Sequence, residues 1–499
     1  MAKTVKSERG KVKKDANIDL LGLDMGKKPP QALDIEEAVL GALMLESNAI
    51  TDVMGILTPD CFYKEAHRKI FTAILALATR HDPIDIYTVA EELKKESLLD
   101  EVGGPYYLSQ LSVRVGAAAH IDYHTKILLQ KYIQRELIGI SYEVQRDSFD
   151  DSIPVDDLLD SAQQKLFTLS DRNLRKEPQA VKAVLNQALG ELEEVQKRQD
   201  GLSGIPSGFT SVDRVTFGWQ PSDLIIVAAR PSMGKTAFVL TMARNMAVEH
   251  KIPVAFFSLE MSSIQLVKRL MVSETGLSSD KIRGGRKMEP YEWTQLNVRI
   301  NDLANAPLHI DDTPSLSIYE FRSKARRLVL TKNVKIVIID YLQLMTGPAE
   351  LRGMREQEVS AISRSLKAIA KELNVPIIAL SQMNRMVETR SGSNRRPQLS
   401  DLRESGAIEQ DADIVAFIYR AEYYGLPIDE KGMSTAGVAE LVIAKHRNGE
   451  LRNIPMHFRS EQAKFLDMND AGELGGEGVK TYGSKMNSDE MHPNTNFDQ

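Results

Sequence analysis

The apolar positions of this chain change character twice. From Pro30 to about residue 125 they recur every three or four residues, the period of a helix with one buried face. Asp34 and Glu37 have the spacing of a capping box ahead of Val39, Leu40, Leu43 and Met44. Thr58-Pro59-Asp60 predicts the opening of a second helix carrying Ile70, Phe71, Ile74 and Leu75. A third is expected over 84–93, and Gly103-Gly104-Pro105 breaks the pattern before a fourth over 106–115. Residues 126–200 keep the helical period and grow more charged. Within them Val181, Leu185, Ala188, Leu192 and Val195 form an amphipathic stripe, suited to packing on the same chain or on a neighbouring copy. Beyond the glycine-rich stretch 204–219, short and nearly continuous apolar runs take over. Strands are expected over 224–228, 253–257, 335–340, 376–381, 413–419 and 439–445, with a helix over 357–373. Strands of that kind separated by helices predict a mostly parallel sheet covered on both faces. From about Met468 the apolar residues thin out into a Gly-, Asn-, Asp- and Ser-rich tail.

Composition refines this outline little. The 499 residues allow two to four domains, and 42% hydrophobic with 26% charged residues is ordinary for a soluble protein. The net charge of −6 excludes a uniformly basic coat but not a local basic groove. Cys61 is the lone cysteine, so no intrachain disulfide is available, as suits a reducing compartment. No apolar run reaches membrane-spanning length, and no secretory core opens the chain, so a soluble intracellular protein is expected. The Lys-rich residues 1–31 read as a solvated arm. His67, His81, His120 and His124 lack ligand spacing and read as surface or satisfied core histidines.

Chemistry concentrates after residue 224. Ala228-Ala229-Arg230-Pro231-Ser232-Met233-Gly234-Lys235-Thr236 lies between a predicted strand and a predicted helix that begins near Ala237. A strand, a tight Gly-Lys-Thr turn and a helix N-terminus form a phosphate cradle of backbone N–H groups across Ser232–Ala237. Lys235 would reach the β- and γ-phosphates, and Thr236 would place a hydroxyl on Mg²⁺. The usual pattern has glycine where this chain has Ala229. Asp340, at the end of the run from Val334, suits a Mg²⁺ ligand, direct or outer-sphere. Glu260, just past a strand tip, is a candidate base for the water attacking the γ-phosphate, or a helix-start cap. Gln382 could bond the γ-phosphate through its amide or simply end a strand. The loop that follows carries Arg385, Arg390, Arg395, Arg396 and Arg403, a composition suited to nucleic-acid phosphates without base stacking. Arg447, in Lys445-His446-Arg447-Asn448-Gly449, reads as an arginine finger for a neighbour's site or as part of a cationic hairpin turn.

Taken together these runs resemble the replicative DNA helicases of the DnaB family, which carry a RecA-like P-loop ATPase domain. The matching runs are 204–208 with Phe209-Thr210, 228–236, 257–262, 338–343, 380–385, 401–406 and 445–449. The family tolerates alanine at the position of Ala229. The resemblance implies a small all-α N-terminal domain, a helical linker and an α/β RecA-like ATPase domain with a mostly parallel sheet. The corresponding boundaries are 1–31 for the arm, 32–130 for the helical collar, 131–203 for the linker, 204–467 for the ATPase and 468–499 for the tail. It further implies a cytoplasmic, nucleoid-associated homohexamer that uses ATP and Mg²⁺, encircles single-stranded DNA, and associates with primase and a loader. Glu260 would be the catalytic base and Gln382 the γ-phosphate sensor. Lys445 and Arg447 would act on the neighbour's nucleotide, and Arg403, Glu404 and Gly406 would contact DNA. A RecA-like recombinase or kinase, and a nucleotide-gated scaffold without motor activity, are the rival expectations.

Overall fold

The computed structural model describes residues 28–46, 49–113, 120–173, 181–197, 201–348, 351, 353–390, 395–428 and 432–468. Residues 1–27 of the expected arm and all of the expected tail beyond 468 lie outside these. The chain divides into two compact units, residues 1–179 and 180–499.

The first unit is helical: α1 (Leu33–Leu45), α2 (Ala49–Val53), α3 (Glu65–Thr79), α4 (Ile86–Lys95), α5 (Gly104–Val113), α6 (Ile121–Ser148) and α7 (Val155–Asn173). Leu40, Leu43, Phe62, Phe71, Ile74 and Leu93 make its core, as the helical period predicts. Two helix starts differ from expectation. Helix α1 follows Ala32 with no side-chain cap, and Asp34 lies inside its first turn, where a carboxylate meets the positive end of the dipole. Thr58-Pro59-Asp60 opens only a 3-10 turn, Pro59–Cys61, and α3 starts at Glu65. A capping box does open α4, where Asp85 accepts from the N–H groups of Tyr87 and Thr88. Helix α6 runs unbroken through the expected boundary at 130. His67 is the satisfied core histidine: fully buried, it shares hydrogen bonds of 2.7 Å with the Glu36 carboxylate and the Tyr107 hydroxyl. Arg135 on α6 donates to the carbonyls of Pro30 and Cys61, pinning two loops to the bundle.

The second unit opens with α8 (Val181–Lys197), on which Val181, Leu185 and Leu192 are exposed. Then come α9 (Thr210–Thr216), β1 (Leu224–Ala229), α10 (Lys235–Arg244), β2 (Val254–Ser258), α11 (Ser263–Thr275), α12 (Ser279–Ile282), α13 (Pro290–Ala304) and β3 (Leu308–Asp311). They are followed by α14 (Ile318–Lys332), β4 (Ile336–Asp340), α15 (Arg355–Leu373), β5 (Ile377–Gln382), α16 (Gly406–Asp411), β6 (Ile414–Tyr419), β7 (Val438–His446), β8 (Arg452–Arg459) and β9 (Lys464–Asp467). The sheet order is β3-β2-β4-β5-β1-β6-β7-β8-β9. Pairing is parallel from β3 to β6 and antiparallel from β6 to β9. The central strands are buried on both faces, which is why their sequences are continuous apolar runs. One face packs Phe238, Phe256, Leu270 and Phe465, and the other Phe257, Phe321, Ile362, Leu366 and Phe417.

Three strands escaped the sequence reading. Strand β3 is half-buried and four residues long. Strand β8 alternates buried Ile454, Met456 and Phe458 with exposed residues and contains Pro455, and β9 is again four residues. Each lies on or near a sheet edge, where the period-two signal is short and Pro is tolerated.

Candidate active site

The parallel strands fix where a ligand goes, because all of them run out at the same, carboxyl edge of the sheet. Four strand ends meet there. Strand β1 runs into Arg230-Pro231-Ser232-Met233-Gly234, and α10 begins at Lys235. Ser232 and Gly234 take positive φ, 66° and 96°, to make the bend. A Cβ on Gly234 would stand 3.1 Å from Phe465 and 3.2 Å from Phe458, so the positive φ favours glycine there and the two rings crowd any side chain. Ala229 is different: it is the last residue of β1, paired with Gln382 in extended backbone, and needs no glycine. The cleft above the loop encloses about 980 Å³ and is lined by the 229–237 loop, Glu260, Tyr341 and Gln382 among others.

Within it the sequence-predicted groups converge. Thr236 donates its hydroxyl hydrogen to Asp340 Oδ2 at 2.7 Å, and Lys235 Nζ lies 3.9 Å from Asp340 Oδ1 and 4.3 Å from the centre of the Tyr341 ring. Asp340 is fully buried, yet its Oδ1 has no hydrogen-bond partner among the described residues. Burial pushes the Asp340 carboxyl upward, against Lys235 and the Thr236 bond. Burial likewise pushes the Lys235 ammonium downward, against the charges of Asp340 and Glu260. Both charges are costly where they stand, and both would be relieved by groups of opposite sign. An orphaned carboxylate oxygen beside a threonine hydroxyl is a hard oxygen donor set that fits Mg²⁺.

Glu260 sits in the turn after β2, exposed to the cleft. Two bonds fix that turn: Ser258 Oγ donates to the Met261 carbonyl at 2.6 Å, and Leu259 N donates to the Asp340 carbonyl at 2.7 Å. Gln382 ends β5, its N–H held by the Gln343 amide, which also donates to Ser381.

Sequence reasoning missed several lining residues. Lys268 and Arg269 come from α11, and Phe458 with 460–463 from the β8–β9 hairpin. Arg420, just past β6, lies 4.2 Å above the Phe458 ring and donates to the Ser232 carbonyl at 3.5 Å. The turn at Asn448-Gly449 announces a return strand and could have pointed to Phe458. Nothing local marks Arg269 or Arg420.

The arginine-rich loop is less open than its composition predicts. Arg390 forks onto Asp401, Arg396 bonds Glu440 at 2.9 Å, and Arg395 donates to the Arg390 carbonyl and lies over Tyr424. Arg403 and Glu404 belong to a 3-10 turn, Leu399–Ser405, and their side chains lie outside the described residues, whereas Gly406 starts α16.

Lys445 and Arg447 are not in this cleft. They stand at the end of β7, which pairs antiparallel with the first residues of β6, so they occupy the opposite edge of the sheet. Arg447 donates to Asp413 Oδ1 at 3.2 Å and to the Gln410 carbonyl at 2.6 Å, and Lys445 bonds the Glu409 carbonyl at the end of α16. A six-residue strand separates the two edges by roughly 20 Å, well beyond the reach of an arginine side chain.

That edge also holds Asp223, pushed up to about 6 by burial and by the neighbouring Asp413 charge. The folded-state value exceeds the ordinary 3.8, so the folded chain keeps the proton longer. Stability is therefore lost as pH rises from about 4 to about 6, by up to about 3 kcal/mol. Asp223→Asn is expected to raise the thermal midpoint at pH 8 and leave it nearly unchanged at pH 4. Equal midpoints at pH 8 would count against this reading.

Comparison with known proteins agrees with the geometry. The family model described as DnaB-like helicase C terminal domain matches residues 204–467, and that described as DnaB-like helicase N terminal domain matches 28–130. The chain is 44% identical over 440 residues to the replicative DNA helicase DnaB of Geobacillus stearothermophilus, covering 88% of this chain and 95% of that one. It is 43% identical over 440 residues to the replicative DNA helicase DnaC of Bacillus subtilis, with the same coverage. Among solved structures, a DnaB-like replicative helicase described with its primase interactions superposes with a TM-score of 0.65 at 32% identity, covering 88% of this chain and all of that one. A second solved structure, described as an ATPase domain, superposes at 0.53 with 37% identity, over 58% of this chain and all of that one.

Proposed function

The chain belongs to the DnaB-like family of replicative, ATP-dependent DNA helicases, and from that premise we propose how its residues divide the work. The observation that carries the proposal is the convergence of Lys235, Thr236, Glu260 and Gln382 on one cleft, with the buried Asp340 bonded to Thr236, while Lys445 and Arg447 stand at the far edge of the sheet.

The backbone of Ser232–Ala237 cradles the phosphates of ATP, with the leading N–H groups of α10 and the positive end of its dipole facing them. Lys235 neutralises the β- and γ-phosphate oxygens, which offsets the burial that works against its own charge. Thr236 and Asp340 would hold Mg²⁺, which when bound supplies positive charge to the phosphoryl oxygens during transfer. Glu260 orients a water and accepts its proton at the carboxylate. Gln382 bonds the γ-phosphate through its amide and reports its loss to the turns that follow β5. Because Lys445 and Arg447 cannot reach their own cleft, they complete the site of a neighbouring subunit, an arrangement that closes naturally in a ring.

The wider assignments follow. The chain forms a homohexamer around single-stranded DNA, with Arg403, Glu404 and Gly406 on the strand. The exposed stripe of α8 docks on the adjacent subunit, and the helical unit contacts primase. A loader places the ring on DNA. Among the described residues no helix is long and apolar enough to cross a membrane.

Mass measurement tests the assembly. The expected particle weighs six times the 55.7 kDa chain in the presence of nucleotide and Mg²⁺. A monomer under all conditions would overturn the shared site.

A further inference from the structure

Gln382 is not the strongest physical link between the phosphate loop and the segment that follows β5. Arg230 belongs to that loop, yet its side chain is only 6% exposed, an unusual state for a guanidinium. Although the residue lines the cleft, its guanidinium spends donors from all three nitrogens on the next strand's exit. Nη1 donates to the Met383 carbonyl at 2.8 Å, and Nε and Nη2 donate to Glu388 Oε1 at 2.9 and 2.7 Å. The Met383 N–H returns a bond to the Ala229 carbonyl at 3.2 Å, so the two strand exits are tied in both directions. From there the connections run on. Asn384 N donates to the Asp401 carbonyl at 3.0 Å, and the buried Asp401 carboxylate takes Arg390 and, at 2.7 Å, the Gln398 N–H. Asp401 lies within the turn Leu399–Ser405 that carries Arg403 and Glu404.

We propose that the Arg230–Glu388 pair is a positioning device that passes the state of the phosphate loop to the DNA-contacting turn. Arg230 acts through Glu388 and Met383, not on nucleotide. A bend in the loop that follows phosphate loss moves the guanidinium, and the fork of charge-assisted bonds drags the 383–388 backbone with it. Because the side-chain bonds in the path are charge-assisted and the Ala229–Met383 bond joins two buried strand exits, the segment has few ways to relax without following. This inference rests on the DNA-coupled ATPase reading above and names a route within it.

The test uses the full-length chain and a poly-dT oligonucleotide as probe. Glu388 is half-exposed and lines no part of the cleft, so Glu388→Gln leaves the site's own groups in place. ATPase rate and KM for ATP are measured with and without the oligonucleotide. The expected result is a basal rate and KM within twofold of the unsubstituted chain and a fall of at least fivefold in the ratio of stimulated to basal rate. Arg230→Gln lowers the same ratio, and the double variant falls no further than the worse single one, as for residues acting as one unit. A thermal melt checks that each variant is folded. Undiminished stimulation in Glu388→Gln, or an additive double variant, overturns the coupling route. Absence of any stimulation in the unsubstituted chain would instead overturn the DNA-coupled reading itself.

Discussion

A chain carrying Lys235→Ala is expected to lose ATP turnover by roughly 10²–10³-fold, and with it all measurable unwinding of a forked duplex. Lys235 is the first residue of α10 and is only 13% exposed. Its ammonium lies near the buried Asp340 carboxylate and over the Tyr341 ring, in the cleft assigned to the phosphates. Alanine is an excellent helix former at that position, so the helix survives and the loss falls on the electrostatics. Two effects add. The transferring phosphoryl group loses its preorganised positive partner, and Asp340 loses the cation that lowers its carboxyl. The second effect also weakens the folded unit, because removing one member of a buried ion pair leaves the other uncompensated. ATPase and fork-unwinding assays check the outcome together. Unwinding at the unsubstituted rate would remove Lys235 from the mechanism.

The second large effect concerns residues on opposite edges of the sheet. Glu260→Gln keeps the shape of the side chain and removes its basicity, so nucleotide still binds while turnover falls roughly 10²–10⁴-fold. Arg447→Ala is expected to cost a comparable factor, roughly 10³-fold or more, although Arg447 touches nothing in its own cleft. The substitution is tolerable structurally. Asp413 keeps Lys367 and the Leu224 N–H, at 2.8 Å, after the guanidinium is gone. A merely structural role for Arg447 would lower the thermal midpoint and leave turnover per folded chain intact, so the two measurements separate the roles.

Much of this architecture is legible in the residues because burial writes itself into strands β1, β2, β4, β5 and β6 as unbroken apolar runs. The phosphate loop is legible for a related reason: a strand that ends in Gly234-Lys235-Thr236 and passes straight into a helix has few other uses. Glu260, Asp340 and Gln382 stand at strand ends, where their positions follow from the parallel sheet. What could not be read came from two sources. The four-residue edge strands β3 and β9 carry little periodic signal, and β8 holds Pro455 and only three buried apolar side chains, so Phe458 against Gly234 was invisible. Long-range pairing is the other. The loop arginines read as free for DNA, but Arg390 and Arg396 find Asp401 and Glu440, the second of them 44 residues away. Arg230 carries no local signal of its partner, and only the fold shows it spanning 158 residues to Glu388. The placement of Arg447 opposite the cleft depends on the antiparallel return of β7, which no local pattern states.

The claim at the centre of this account is that each hydrolytic site is completed across a subunit boundary. Mixing Glu260→Gln chains with Arg447→Ala chains tests it most directly. Each population alone is nearly inactive. In mixed rings, an Arg447→Ala subunit with an intact Glu260 can sit beside a Glu260→Gln subunit with an intact Arg447. Random head-to-tail assembly makes such interfaces about a quarter of the total, so ATPase should recover toward that share. Mixed rings that form and stay as inactive as their parents would contradict the account.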